Sequence, residues 1–135
     1  MDSFFQHDYI YTAGMYSLVV IALIVYLTVF EFVTKYKTWT EIKNGNIAVA
    51  LATGGKIFGI ANVFRHSIMH NDSVISMLGW GTFGFALLVF VYFIFEFLTP
   101  GFKVDEELQK DNRAVGLVSF MLSVALSYII GASIR

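Results

Sequence analysis

The sequence predicts an all-α integral membrane protein: four transmembrane helices arranged as two duplicated helical hairpins, a parallel repeat. Three observations predict it. Residues 10–30, 73–95 and 114–134 contain no Asp, Glu, Lys or Arg, and about 20 apolar residues are enough for a helix to cross roughly 30 Å of hydrocarbon. A run of similar length, 47–68, carries Lys56 and Arg65 and reads as a span with charge inside it. The residues after the first span recur after the third.

Composition agrees. Of 135 residues, 57% are hydrophobic and 14% charged, whereas soluble domains carry roughly a quarter charged residues. A net charge of -1 gives no electrostatic case for nucleic acid. Cysteine is absent, which removes disulfides and thiolate chemistry.

The first span, about 10–33, has no Lys or Arg before it to form a basic n-region and is too long for the apolar core of a secretory signal. The connection that follows contains Thr38, Trp39, Thr40 and Glu41, the spacing of a capping box at a helix start. The second span, about 47–68, places Ala48, Ala52, Gly55 and Gly59 at three- and four-residue spacing, a small-residue stripe that lets another backbone approach closely. The third, about 74–98, stops at Pro100 and Gly101. Asp105, Glu106 and Glu107 suit the amino-terminal dipole of the next helical segment. The fourth span, about 114–134, repeats the small stripe with Ser119, Ser123, Ser127 and Gly131. Helices 2 and 4 are therefore expected to pack together.

The internal repeat divides the chain into units 1–68 and 69–135. Phe30-Glu31-Phe32-Val33-Thr34 recurs as Phe95-Glu96-Phe97-Leu98-Thr99. After a one-residue insertion near Pro100, Lys37, Glu41, Asn46 and Ala48 recur as Lys103, Glu107, Asn112 and Ala114. Two helices per unit bring both units into the membrane from the same side, related by a pseudo-two-fold axis along the membrane normal. Lys35, Lys37, Lys43, Lys103, Lys110 and Arg113 all lie in the connections after spans 1 and 3, and only Arg65 and Arg135 lie opposite. Positive-inside bias then places both termini outside and the two long connections in the cytoplasm. Tyr9, Tyr11 and Trp80 are expected as outer interfacial anchors, with Tyr36, Trp39 and Phe102 at the inner interface.

Candidate site residues are few. Lys56 lies about nine residues, or ~14 Å, inside its span, where an unpaired ammonium costs several kcal/mol. Glu31 and Glu96 lie about a turn inside the same ends of spans 1 and 3. The lysine stem can snorkel toward one of them, either as a neutralised pair that fixes packing or as a titrating or ion-binding group. Lys56 corresponds to Leu122 in the second unit. Asn46 and Asn112 share a repeat position suited to capping or bridging helices, and Gly55 and Gly59 form the packing stripe. His66 and His70 have i, i+4 spacing, and His7 is expected on their side, but no H-E-x-x-H accompanies them and no acid with ligand spacing beyond Asp72. No metal site, cofactor or catalytic constellation can be assembled.

These residues resemble the YjfL-type family of small bacterial inner-membrane proteins, a duplicated two-helix domain of unknown function. The matching stretches are Thr34 to Ala50, read as T-x-Y-x-x-W-x-E-I-x-x-G-N-x-A-x-A, and Gly54-Gly55-Lys56-Ile57-x-Gly59. The resemblance implies a four-span protein of the bacterial plasma membrane, associated by gene neighbourhood with envelope-stress and membrane-scaffolding proteins, and no established reaction. The expected function is a non-enzymatic subunit in envelope maintenance. It would be embedded in the lipid bilayer and would form homo-oligomers or bind other membrane proteins. The alternative is a small ion or solute channel or transporter using Lys56 with Glu31 or Glu96.

Overall fold

The structure is a computed structural model. It describes residues 2–70, 73–98, 101 and 103–134, without the side chains of 2–7, 97 and 98. Pro100, Phe102, Asp72, Arg135 and the side chains of Asp2 and His7 lie outside the described residues. Six helices follow in order, and no strand occurs among the described residues. They are α1 (Asp2–Val33), α2 (Thr38–Lys43), α3 (Ile47–His70), α4 (Val74–Leu98), α5 (Val104–Gln109) and α6 (Arg113–Ser133). Segments Asp8–Val33, Ile47–His70, Val74–Glu96 and Arg113–Ser133 are long and apolar enough to cross a membrane. The four expected spans agree with these to within about two residues at most ends, the usual play in helix boundaries.

The centre of the bundle is α3, the least apolar of the four spans and the most buried. That inversion is physical: in lipid the polar side chains turn toward protein, not outward. Against α3 lies α6, backbone to backbone. A Cβ built on Gly55 would stand 2.7 Å from the Phe120 Cα, and one on Gly116 would stand 2.7 Å from the Ala48 Cα. At Gly59 it would meet the Ser123 carbonyl oxygen at 3.1 Å. The two small faces thus close on each other without side chains between them, the geometry that rewards dispersion contact where no hydrophobic drive exists.

The next helix, α4, packs on another side of α3, with Gly81 under the Phe64 ring and Gly84 under Val63. The Ser67 hydroxyl donates to the Met77 carbonyl at 2.7 Å, pinning the short turn between the two helices. The first helix, α1, joins through aromatic contacts. Tyr26 stacks on Phe85 at 4.3 Å between centroids, and Phe30 meets Phe85 and Tyr92 edge-on. It is otherwise bare: only 6% of its span is buried, against 61% for α3.

At one end of the bundle, α2 and α5 cover the mouths of the hairpins. Each starts after an extended lysine, Lys37 or Lys103, with no side-chain cap. The capping box expected at Thr38 does not form, because Lys37 holds the cap position and Thr38 is already the first helical residue. Tyr36, expected as an interfacial anchor, is instead buried, while Trp39 is exposed. Both short helices end in a left-handed residue, Gly45 (φ 88°) and Asp111 (φ 62°), just ahead of Asn46 and Asn112.

Candidate functional site

Glu31, Glu96, Asn46 and Asn112 gather at the α2 and α5 end of the bundle, and each bonds the backbone at a helix start. Both carboxylate oxygens of Glu31 accept the Thr38 amide, at 3.1 and 3.2 Å. Glu96 Oε2 accepts the Asp105 amide at 3.0 Å. Each glutamate at the end of a long helix therefore supplies the cap that the following short helix lacks, satisfying an orphan N–H with a charge-assisted bond.

Asn46 does the same for α3. Its Oδ1 accepts the Val49 amide at 2.9 Å, while its Nδ2 donates to Glu41 and to the carbonyls of Leu108 and Gln109 in the other hairpin. Asn112 accepts the Val115 amide more loosely at 3.4 Å and donates to Glu107. Asp111 reaches back to accept the Ala48 amide at 2.9 Å. The non-glycine residue at positive φ is thereby explained: aspartate tolerates the left-handed region, and its carboxylate caps the opposite hairpin's helix, which a glycine could not do.

Lys56 departs from expectation. Neither Glu31 nor Glu96 pairs with it within 4 Å; among the described residues the close ion pair is Arg113–Asp111 at 3.6 Å. The Lys56 ammonium lies 4.7 Å from the Phe30 ring centroid, 4.9 Å from Tyr92 and 5.9 Å from Tyr36. Lys56 is 4% exposed. Its charge is met by ring quadrupoles rather than by a carboxylate in contact. The two glutamates are held by backbone amides, which keeps them from closing on the lysine.

Four residues that sequence reasoning did not place at the site complete it: Tyr36, Thr53, Tyr92 and Asp105. Asp105 is buried; its Oδ2 accepts the Lys35 amide at 3.0 Å, and its Oδ1 accepts the Tyr92 hydroxyl. Burial pushes the Asp105 carboxyl above its ordinary range, opposed by the Lys35 amide and by the charges of Lys56 and Lys35. Tyr36 is pushed far upward by burial and then by Asp105, Glu31 and Glu96, so its phenol stays protonated. Three buried atoms here make no hydrogen bond within the protein: Tyr36 Oη, Thr53 Oγ1 and Glu96 Oε1. A signal for Thr53 existed in the sequence, since it precedes Lys56 by one helical turn. Asp105 gave none beyond its place in an acidic run.

Two small cavities flank Lys56. One, about 10 Å³, is lined by Glu31, Thr38, Trp39, Thr53 and Lys56 among others. The second, about 20 Å³, is lined by Lys56, Tyr92, Ser119 and Ser123 with apolar residues of α1, α4 and α6. Farther along the α3–α6 seam, Asn62 donates to Ser127 at 3.0 Å, and His66 Nδ1 bonds the Asn62 carbonyl. The His66 ring lies against Gly131, and His70 is exposed. No group of three His, Cys, Asp or Glu suited to a metal occurs among the described residues.

The family described as Domain of Unknown Function (DUF350) matches residues 4–134. The chain is 55% identical over 134 residues to the UPF0719 transmembrane protein YshE of Bacillus subtilis, covering 99% of this chain and 100% of that protein. It is 25% identical over 105 residues to the UPF0719 inner membrane protein YjfL of Escherichia coli, covering 78% of this chain and 76% of that one. No solved structure matches.

Proposed function

The chain belongs to the DUF350 family, and we propose that it is a non-enzymatic subunit of the bacterial plasma membrane that works in assembly, with copies of itself or with other membrane proteins. The observation that carries this reading is α1. Its span is 6% buried, and Tyr16, Ile21 and Ile24 stand 71%, 60% and 59% exposed. A groove of about 590 Å³ runs between α1 and α3, lined by Tyr16, Val20, Phe64, Arg65 and Ile68 among others. A protomer that closes one seam to backbone contact and leaves its first helix almost bare has a face suited to a partner helix. The chain is read as two copies of one hairpin unit with both termini outside and α2 and α5 in the cytoplasm. The matched turns at Gly45 and Asp111, and the matched Glu41–Asn46 and Glu107–Asn112 bonds, support the two-unit part of that reading, and the orientation rests on the lysines and arginines alone. Envelope maintenance is the role in which such a subunit would serve.

The absence of cysteine makes the test simple. Single cysteines placed along α1 from Tyr16 to Val25 are oxidised in native membranes. Cross-links to another copy or to a second membrane protein should follow one helical face. A chain that forms none and runs as a monomer in nanodiscs would end the assembly reading. In the same variant set, cysteine at Lys37 should resist an impermeant maleimide in intact cells.

A second reading, a small ion channel or transporter, is favoured by one observation: the caged cation Lys56, with Glu31 lining a cavity beside it and polar residues continuing along the α3–α6 seam.

A further inference from the structure

Resting on that second reading, we propose that the ion is the proton, relayed through two water molecules bound on either side of Lys56. The cavities define the sites. A volume of roughly 10–15 Å³ for the centre of a water is enough to seat one, given two to four polar partners. The cavity of about 10 Å³ offers the Glu31 carboxylate, the Lys56 ammonium and the hydroxyl of Thr53, which has no other partner. The cavity of about 20 Å³ offers Lys56 again, from its other side, with the hydroxyls of Ser119 and Ser123. Lys56 stands in the wall of both. It is the link between a carboxylate at the α2 end and the hydroxyl-bearing seam.

The relay balances without electrons or a co-reactant. The ammonium gives a proton to the water on the Glu31 side, and that water passes one of its own to the carboxylate. The neutral amine then takes a proton from the water on the serine side, which is resupplied along the seam. One proton enters, one leaves, and every group returns to its starting state once Glu31 releases its proton. The groups that bear on Lys56 come from every neighbouring element. Glu31 is on α1, Tyr36 lies between α1 and α2, Tyr92 is on α4 and Asp105 is on α5, while Glu96, also on α4, acts on Tyr36. The lining of the second cavity on α6 supplies only hydroxyls as polar groups. Glu96 Oε1 and Tyr36 Oη, both without partners, extend the acceptor set toward α5. Size selects the proton. Each cavity seats a single water, and widening the one that Ser119 and Ser123 line would mean breaking the backbone contacts between α3 and α6 at Gly55 and Gly116, so a hydrated alkali cation does not pass it.

The full chain in proteoliposomes, with a pH dye inside and a potassium diffusion potential set by valinomycin, tests this directly. Wild type should acidify or alkalinise the lumen faster than protein-free vesicles, at a rate unchanged when choline replaces sodium. Lys56→Met should fall to the protein-free rate while keeping its helical circular dichroism and elution volume. If Lys56→Met does not fold, Thr53→Val and Ser119→Ala, which remove one hydroxyl each at nearly constant volume, decide the matter. Loss of flux in both supports the relay, and full flux in both overturns it. Proton flux retained in a folded Lys56→Met also overturns it. Sodium flux without proton flux overturns the relay and leaves the ion-path reading standing. No ion flux at all overturns both.

Discussion

At the scale of single residues, Lys56 shows how a charge is tolerated in a span. A lone ammonium near mid-membrane costs several kcal/mol, and the obvious remedy is a carboxylate. The structure uses rings instead, because Glu31 and Glu96 are already committed to the amides of Thr38 and Asp105. A cation over an aromatic face contributes about 0.5–1 kcal/mol at an exposed site and about 2 kcal/mol when desolvated. A double-mutant cycle between Lys56→Met and Tyr92→Leu should therefore give a coupling on the order of 1 kcal/mol. The cycle of Lys56→Met with Glu31→Gln should give less. Chemical denaturation in mixed micelles measures both, and the reverse order would restore the ion-pair account. The sequence exposed Lys56, Glu31 and Glu96 as charges in apolar runs. It hid the inward roles of Tyr36 and Tyr92, because aromatic residues are everywhere in this chain and nothing local says which of them face inward, and that of Asp105, because it stands in an acidic run with Glu106 and Glu107.

At the scale of elements, the termini of short helices organise the polar end of the bundle. Six residues are too few for a stable isolated helix, so α2 and α5 depend on carboxylates delivered by α1 and α4. The capping-box spacing at Thr38 misled for that reason: the cap comes from seven residues upstream in sequence, across a turn, and not from within the motif. The two asparagines were expected to share one repeat position and one role, and the structure makes their roles unequal. Asn46 bridges to Leu108 and Gln109 of the other hairpin, whereas the hydrogen bonds of Asn112 stay within its own. Asn46→Ala should thus lower stability by about 1–3 kcal/mol, the cost of leaving buried partners unsatisfied. Asn112→Ala should cost about 1 kcal/mol, the ordinary loss of a cap. Equal losses would show that the bridge between hairpins carries little.

At the scale of the whole molecule, hydropathy made the four spans legible, and the small-residue stripes pointed to contact between α3 and α6. Neither indicated that α4 would pack on α3 through Gly81 and Gly84 while α1 stayed largely bare, because every face of these helices is apolar and lipid satisfies it as well as protein does. The account depends above all on the α3–α6 seam, which fixes the helix that carries Lys56 and bounds the cavity lined by Ser119 and Ser123. Two adjacent glycines test it most directly. Gly54 has open space where a Cβ would stand, and Gly55 has the backbone of Phe120 at 2.7 Å. Thermal unfolding in nanodiscs should find Gly54→Ala neutral or more stable, by up to about 1 kcal/mol from helix propensity. Gly55→Ala should be less stable by about 1–3 kcal/mol, because α6 must move away. Two alanine variants with the same stability, or Gly55→Ala as the more stable, would contradict the seam.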